Sequence, residues 1–312
     1  MEASQDPSPD DLGVPPLSEE ERPYVLLVNP SSGGGRGQRL LPRVEAALDE
    51  RRAVFRVVRT KSLEHGVAKA LRAVEAGETP IVLSGDGMIG AIGGAMAGAE
   101  MPLGIVPGGR GNDLARVLGI PDEPEAAVEV VLAGHSRAID VGEANGRPFL
   151  GIASVGFDSV ANRIANESRL RGNLVYLWAA LRTMASWKSA RFTIAIGERR
   201  TRLEGYDVVV ANNRAYGGGM FIAPDAELDD GEFDVVTIAD MGKFRALYNL
   251  TKVFKGTHVG IPEVSVVRAS RLSLSASRPF AVYADGDHLT DLPADLRIIP
   301  RALRVLVPPP AA

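Results

Sequence analysis

Apolar positions along the chain follow two regimes that change near Ile139-Asp140-Val141. Before that point, short apolar runs alternate with segments whose apolar residues recur every three or four positions. Tyr24-Val25-Leu26-Leu27-Val28, 53–59, Ile81-Val82-Leu83 and Leu103-Gly104-Ile105-Val106 read as buried strands. The spacing predicts helices over about 38–50 and 63–77, the latter closed by Gly77. It predicts another after Gly87, where Ile89, Ile92 and Met96 fall at i, i+3 and i+7. This alternation predicts an α/β domain on a parallel sheet. Beyond 140, strand-like stretches dominate, at 149–154, 191–197, 206–211, 233–238, 264–267, 271–276, 280–284, 296–299 and 302–307. Two helices interrupt them, one over about 173–187 with Leu174, Leu177, Leu181 and Met184 on a stripe. The other covers about 243–255 with Phe244, Leu247, Leu250 and Phe254, stopped by Gly256. The second half therefore reads as a mostly antiparallel β-sandwich. The expected division is a polar, Pro-rich disordered arm over 1–23, an α/β domain over 24–140 and a β domain over 141–308.

Three of the predicted strands feed glycine-rich loops that lead into helices, in units spanning 25–40, 81–98 and 103–118. The loops are Asn29-Pro30-Ser31-Ser32-Gly33-Gly34-Gly35, Ser84-Gly85-Asp86-Gly87 and Pro107-Gly108-Gly109-Arg110-Gly111-Asn112-Asp113. Each could be an ordinary surface turn. Three at the carboxyl ends of parallel strands point instead to the ligand-binding edge of an open sheet. Backbone N–H groups at a helix start favour phosphate. A carboxylate among phosphates, here Asp86, suits Mg²⁺ or a hydroxyl proton. The first loop is not a Walker A motif, since no Lys-Ser/Thr pair follows, and it lacks dinucleotide spacing. The helix after Gly87 carries Gly90, Gly93, Gly94 and Gly98, each costing about 1 kcal/mol against Ala in a helix interior. Such a helix is held close against either a sheet or a ligand.

The chain has 312 residues, 45% of them hydrophobic, enough for two domains with real cores. It has no cysteine, which removes disulfides, thiolate metal sites and a cysteine nucleophile and fits a reducing compartment. A net charge of −4 gives no global nucleic-acid footprint. No apolar run approaches the roughly 20 residues of a membrane span. The N-terminus lacks a basic start followed by an apolar core, so no secretion signal is expected.

Together the motifs resemble the diacylglycerol kinase catalytic family, which includes bacterial diacylglycerol kinases and sphingosine kinases. They occur in the family's order: Asn29-Pro30 and its glycine loop, Gly85-Asp86-Gly87, Pro107-Gly108 through Gly111-Asn112-Asp113, Gly156-Phe157-Asp158, Tyr216-Gly217-Gly218-Gly219-Met220 to Pro224, Leu228-Asp229-Asp230-Gly231, and Asp285-Gly286-Asp287. The resemblance covers Tyr24 to Pro308 and looks closest to soluble actinobacterial members. It implies ATP on Asn29, Pro30, Ser31, Ser32, Gly33, Thr60, Ser84, Gly85, Asp86, Gly87, Met88, Ile89 and Gly90, with Arg110 and Asn112 at further contacts and Asp113 and Arg116 in support. It implies that Asp287 accepts the substrate proton, with Asp86 as the second catalytic acid. It also implies a structural Mg²⁺ held by the Asp230 carboxylate and the main-chain carbonyls of Glu227 and Glu232. The chain departs from the usual pattern at Ser84, Met88, Gly90-Ala91, Arg110 and Asp287, where the family has Gly, Thr, Asn-Glu, Thr and Glu. Arg110 could pair with a phosphate and replace the lost hydroxyls.

A lipid kinase must work at a membrane surface without spanning it. The stretch from Arg163 to Arg191 holds Arg163, Arg169, Arg171, Arg182, Lys188 and Arg191 against Glu167, interleaved with Tyr176, Trp178 and Trp187. The later helix carries Lys243, Arg245, Lys252 and Lys255. Bases beside aromatics suit an anionic interface, although both stripes could equally be core with solvated bases. The expectation is a cytoplasmic enzyme, peripheral at the inner membrane surface, with ATP and Mg²⁺ as cofactors and a lipid substrate. The oligomeric state is left open, a homodimer included. The rival readings are an NAD kinase-like or other soluble-substrate kinase, and a catalytically weak nucleotide or lipid sensor.

Overall fold

The structure, a computed structural model, describes residues 23–167, 178–179, 182–184 and 186–310. The expected arm lies outside these residues but for Pro23, as do Arg169 and Arg171 of the basic stretch and Leu174, Tyr176, Leu177 and Leu181 of the helix expected over 173–187. The first half places β1 (Tyr24–Val28), α1 (Ser32–Glu50), β2 (Phe55–Arg59), α2 (Leu63–Glu75), β3 (Thr79–Ser84), α3 (Asp86–Ala95) and β4 (Gly104–Pro107) in order. These strands form a four-stranded sheet, β2-β1-β3-β4, parallel throughout. β3 is buried along its whole length, as a central strand of continuous apolar character requires. Short helices α4 (Asp113–Val117) and α5 (Pro124–Leu132) complete this half, and α5 is absent from the pattern-based expectation.

The second half begins at β5 (Ser136–Ala144), within which the expected division at 140 falls. It continues with β6 (Arg147–Phe149), β7 (Ile152–Gly156), α6 (Phe157–Glu167), β8 (Ala190–Ile196), β9 (Arg199–Ala211), β10 (Phe233–Ala239), α7 (Lys243–Val253), β11 (Val264–Ala269), β12 (Arg271–Ala276), β13 (Ala281–Ala284), β14 (Asp287–Asp291) and β15 (Ala294–Leu306). Its strands form one eleven-stranded sheet, and each described pairing in it is antiparallel. The stretches expected at 296–299 and 302–307 are one strand, β15, with an irregularity between Ile299 and Leu303. Helix α6 follows β7 directly, where no helix was expected.

The two halves share a core. Leu150, Leu303, Val305 and Leu306, with Ile139 and Val141 of β5, belong to one cluster with residues of β1, β3 and α3. The tail of β15 reaches β4, with Leu103 donating to Arg304 and Leu306 donating to Leu103, each at 2.9 Å. This contact explains the glycines of α3. A methyl group on Gly93 would lie 2.6 Å from the Leu150 side chain and 2.8 Å from Leu303, and one on Gly94 would lie 2.7 Å from Pro148. The helix is held against the other half of the molecule, and its missing side chains let that half approach.

Helix α7 departs from expectation. Ala246, Asn249, Leu250 and Val253 turn inward, while Phe244 is 93% exposed and Leu247, Tyr248 and Phe254 also face solvent. The stripe expected to be core is largely on the outside.

Candidate active site

All three glycine loops converge at the carboxyl edge of the parallel sheet. Ser32 Oγ donates to the Gly108 carbonyl at 3.3 Å and Arg36 Nη1 to Gly109 at 3.2 Å. Gly108 N–H donates to the Ser84 carbonyl at 2.7 Å. A methyl group on Gly109 would fall 2.5 Å from Gly85 Cα, so the second and third loops touch backbone to backbone. The Asn29 carboxamide accepts from the Ser31 N–H at 3.1 Å and its hydroxyl at 2.8 Å, an Asx turn that shapes the first loop. Gly33, Gly34 and Gly35 all have positive φ inside the assigned span of α1 and keep that loop open. A methyl group on Gly34 would lie 3.6 Å from Arg110 Nη2, so this guanidinium reaches from the third loop over the first. Pro30, Ser31, Ser32, Gly33, Gly85 and Arg110 are therefore brought together around one space.

Other expected nucleotide contacts point elsewhere. Thr60 is buried with its hydroxyl on the Val28 carbonyl at 3.0 Å. Met88 packs against Gly66 and Thr60, and Ile89 is fully buried. Ser84 is buried too. These four can serve a ligand only through backbone groups. Asn112 is buried, accepts from Gly109 N–H at 2.9 Å and donates to Asp122 at 3.1 Å; it holds the third loop in shape.

The acids divide into distinct roles. Asp86 Oδ1 accepts from the Leu114 N–H at 3.2 Å, at the start of α4. Burial and the charge of Asp113 push the Asp86 carboxyl up, and the Leu114, Asn112 and Asp113 amides pull it back. Asp113 is bound to Arg116 Nη1 at 2.8 Å and accepts from Gly218 N–H at 2.8 Å, so it ties the third loop to the Tyr216–Met220 turn across the cleft. Asp287, at the start of β14, hangs over the second loop: a methyl group on Gly87 would lie 2.8 Å from Asp287 Oδ2. Burial alone pushes its carboxyl up.

Asp285 was not read as a site residue. Its carboxylate accepts from Leu150 and Gly151 N–H, both at 3.0 Å, and sits where a side chain on Gly90 would be, 2.9 Å from an added methyl group. Gly90, in place of the family's Asn, makes that space. Burial pushes the Asp285 carboxyl up to about 6, against the pull of its amide donors. A carboxyl raised on folding contributes stability below its unfolded pKa and loses it as pH rises to the folded value. The stability of Asp285→Asn minus that of the wild type should therefore climb between about pH 4 and pH 6, by at most about 3 kcal/mol, and stay level above. Urea unfolding of both proteins across that window reads this directly; a flat difference removes the assignment.

A second buried cluster lies behind the cleft. Asp158, from the Gly-Phe-Asp motif, accepts from Ser154 and Tyr216, and Asp207 accepts from the Asp158 N–H at 2.9 Å. Burial raises all three groups: Asp158, Asp207 and the Tyr216 phenol, with Asp158's charge adding to the shifts of Asp207 and Tyr216. Tyr216 opens the Tyr216-Gly217-Gly218-Gly219-Met220 motif, whereas Asp207 stands alone in the sequence, without a local pattern that marks it.

The loop expected to hold a structural Mg²⁺ is pinned by protein groups. Asp140, fully buried, accepts from the Gly231 and Arg301 N–H groups at 2.7 Å each, and Arg137 forks onto Asp229 at 2.7 and 2.9 Å. The Asp230 carboxylate pairs with the Arg268 guanidinium, which also reaches Glu232 at 3.4 Å. That carboxylate is already neutralised, so the arrangement does not fit a cation at Asp230 with Glu227 and Glu232. Among the described residues no group of three or more His, Asp or Glu side chains is placed for a metal.

A glycine-loop α/β half facing an antiparallel half, with carboxylates from both in the cleft, is the layout of a phosphotransferase. Residues 23–144 match the diacylglycerol kinase catalytic domain, and residues 151–307 match the YegS C-terminal NAD kinase beta sandwich-like domain. The chain belongs to the diacylglycerol kinase family. A Mycobacterium tuberculosis protein named diacylglycerol kinase is 33% identical over 300 residues, covering 91% of this chain and 94% of that one. A Staphylococcus aureus protein of the same name is 25% identical, covering 91% of each. A crystal structure of a Bacillus anthracis diacylglycerol kinase has the same fold, with a TM-score of 0.73 at 21% identity over 94% of this chain and 98% of that one. The protein is a transferase that phosphorylates an alcohol group, a kinase of lipid metabolism.

Proposed function

We propose that the protein transfers the γ-phosphate of ATP to the hydroxyl of diacylglycerol or a similar lipid, giving a phosphatidic-acid-type product. The observation that carries this reading is Asp287, an acid of the second half seated over the Gly85-Asp86-Gly87 turn of the first. The lipid oxygen attacks the phosphorus, the bond to ADP breaks, and the hydroxyl proton passes to Asp287 and then to solvent. A carboxyl raised by burial is a better base near neutral pH than an ordinary aspartate. The phosphates rest on N–H groups of the three loops, with Arg110 across the first. Mg²⁺ entering with the nucleotide would neutralise phosphate charge, and Asp86 is the acid suited to it, directly or through water. In this reading a nucleotide half runs to about residue 140 and a lipid half follows.

The second half's likeness to an NAD kinase sandwich favours one rival, a soluble substrate. Labelled ATP offered with diacylglycerol, monoacylglycerol, ceramide, a sphingoid base and NAD, in mixed micelles with Mg²⁺ varied, separates the two. Label in a lipid supports the proposal. Label in NAD with none in any lipid refutes it. Asp287→Glu, which restores the family's usual side chain, should keep or raise the rate with unchanged KM for ATP.

A further inference from the structure

Helix α7 carries apolar residues on both its inward and its outward face. Its inward face carries Asn249, buried and donating to Met241 Sδ, beside Ala246, Leu250 and Val253. Its outward face carries Phe244, Leu247 and Tyr248, at 93, 41 and 68% exposure, and Phe254 just past its end at 55%. Phe244, Leu247 and Tyr248 stand at i, i+3 and i+4, so they form one continuous ridge. A soluble helix places its polar residues there, and a clustered apolar ridge in water marks a surface that meets something.

The charges around the ridge identify its partner. Residues 241–262 contain Lys243, Arg245, Lys252 and Lys255 and no acid. Lys252 lies over the Tyr248 ring at 5.5 Å, so base and aromatic share one edge of the ridge. Arg245 is paired with the Glu263 carboxylate at 2.9 Å. This local surplus stands in a chain of net charge −4. A protein partner would ask for a groove; an apolar ridge fringed with bases fits a flat anionic surface with an apolar interior. Trp187 and Ser189, just before β8, adjoin the same place: Ser189 donates to Asp240, and Tyr206, stacked on Trp187, donates to the Met241 carbonyl at 2.9 Å.

We infer that α7 docks the enzyme on anionic lipid bilayers, with Phe244, Leu247 and Tyr248 inserted below the headgroups and Lys252 and Lys255 against them. The inference rests on the lipid-kinase reading for its purpose, and its test separates the two. Cosedimentation with vesicles of phosphatidylcholine alone and of phosphatidylcholine with phosphatidylglycerol should show binding that rises with the anionic lipid and falls with salt. The triple variant F244S/L247S/Y248S removes exposed side chains and uncovers no core. It should partition at least about tenfold more weakly, yet phosphorylate a short-chain lipid in detergent micelles as the wild type does. The charge reversal K252E/K255E should lose binding to the anionic vesicles and keep its thermal melting profile. Wild-type binding by the triple variant overturns the inference. So does a wild-type dimer that the triple variant dissociates, because the ridge is then covered by a second copy. Vesicle binding through α7 with no lipid phosphorylated upholds the docking and refutes the substrate reading.

Discussion

Asp287→Asn is expected to lower kcat by roughly 10²- to 10⁴-fold with ATP affinity nearly intact, the usual loss when a general base is removed. The carboxylate stands at the start of β14, with β13 pairing alongside through Ala284 and Asp287. Its position is set by the Asp285-Gly286 turn, in which Asp285 has φ 52° and Gly286 φ 92°. That turn is anchored from behind by Asp285 on the Leu150 and Gly151 amides. Asn keeps the shape and the anchor but cannot take a proton, so the loss falls on the chemical step. The comparison needs nucleotide binding measured by calorimetry beside single-turnover rates. Turnover at the wild-type rate by Asp287→Asn rules Asp287 out as the base. Asp86, whose Oδ1 is tied to an α4 amide, then becomes the candidate.

Gly109→Ala should cost at least about 10²-fold in kcat/KM, seen mostly as weaker ATP binding. The added methyl group would meet Gly85 Cα at 2.5 Å and Asn112 Oδ1 at 2.9 Å. Neither can move cheaply. Gly85 is the N-cap of α3, and the Asn112 amide is fixed to Gly109 and Asp122. The second and third loops must part, which moves the amides proposed to hold the phosphates, and misplacement by about 1 Å is worth about 10²-fold. Gly260→Ala, with no atom within 4 Å of the new methyl group, serves as the neutral comparison. ATP binding by Gly109→Ala equal to that of wild type would show that the loops do not hold the phosphates.

The three loops were legible because their signals are local: an apolar run, then glycine, then helical spacing. What was hidden depended on orientation or on distant contacts. Thr60 and Met88 occupy motif positions, yet the end of β2 and the first turn of α3 aim them at each other in the core, with Thr60 Oγ1 3.8 Å from Met88 Sδ. In α7 the spacing fits two stripes, Phe244-Leu247-Leu250-Phe254 and Ala246-Asn249-Leu250-Val253, about a third to half a turn apart. Hydrophobicity favours the first as the buried face; the fold buries the second. Asp285 was passed over because its partners, Leu150 and Gly151, are 134 and more positions away in sequence. The partner of Asp230 was hidden for the same reason, since Arg268 comes from β11.

The return of β15 to the first half has a consequence for synthesis. Leu303, Val305 and Leu306 belong to the core built on β1, β3 and α3, and the Leu306 N–H donates to the Leu103 carbonyl. A ribosome has made nearly all of the chain before those side chains exist. The first half therefore waits, incomplete, while the rest emerges, against the usual order in which an N-terminal unit folds first. A fragment ending at 140 lacks part of its own interior and should expose Ile105, Val106 and Ile92 to chaperones. β15 is the strand that completes the core of the first half.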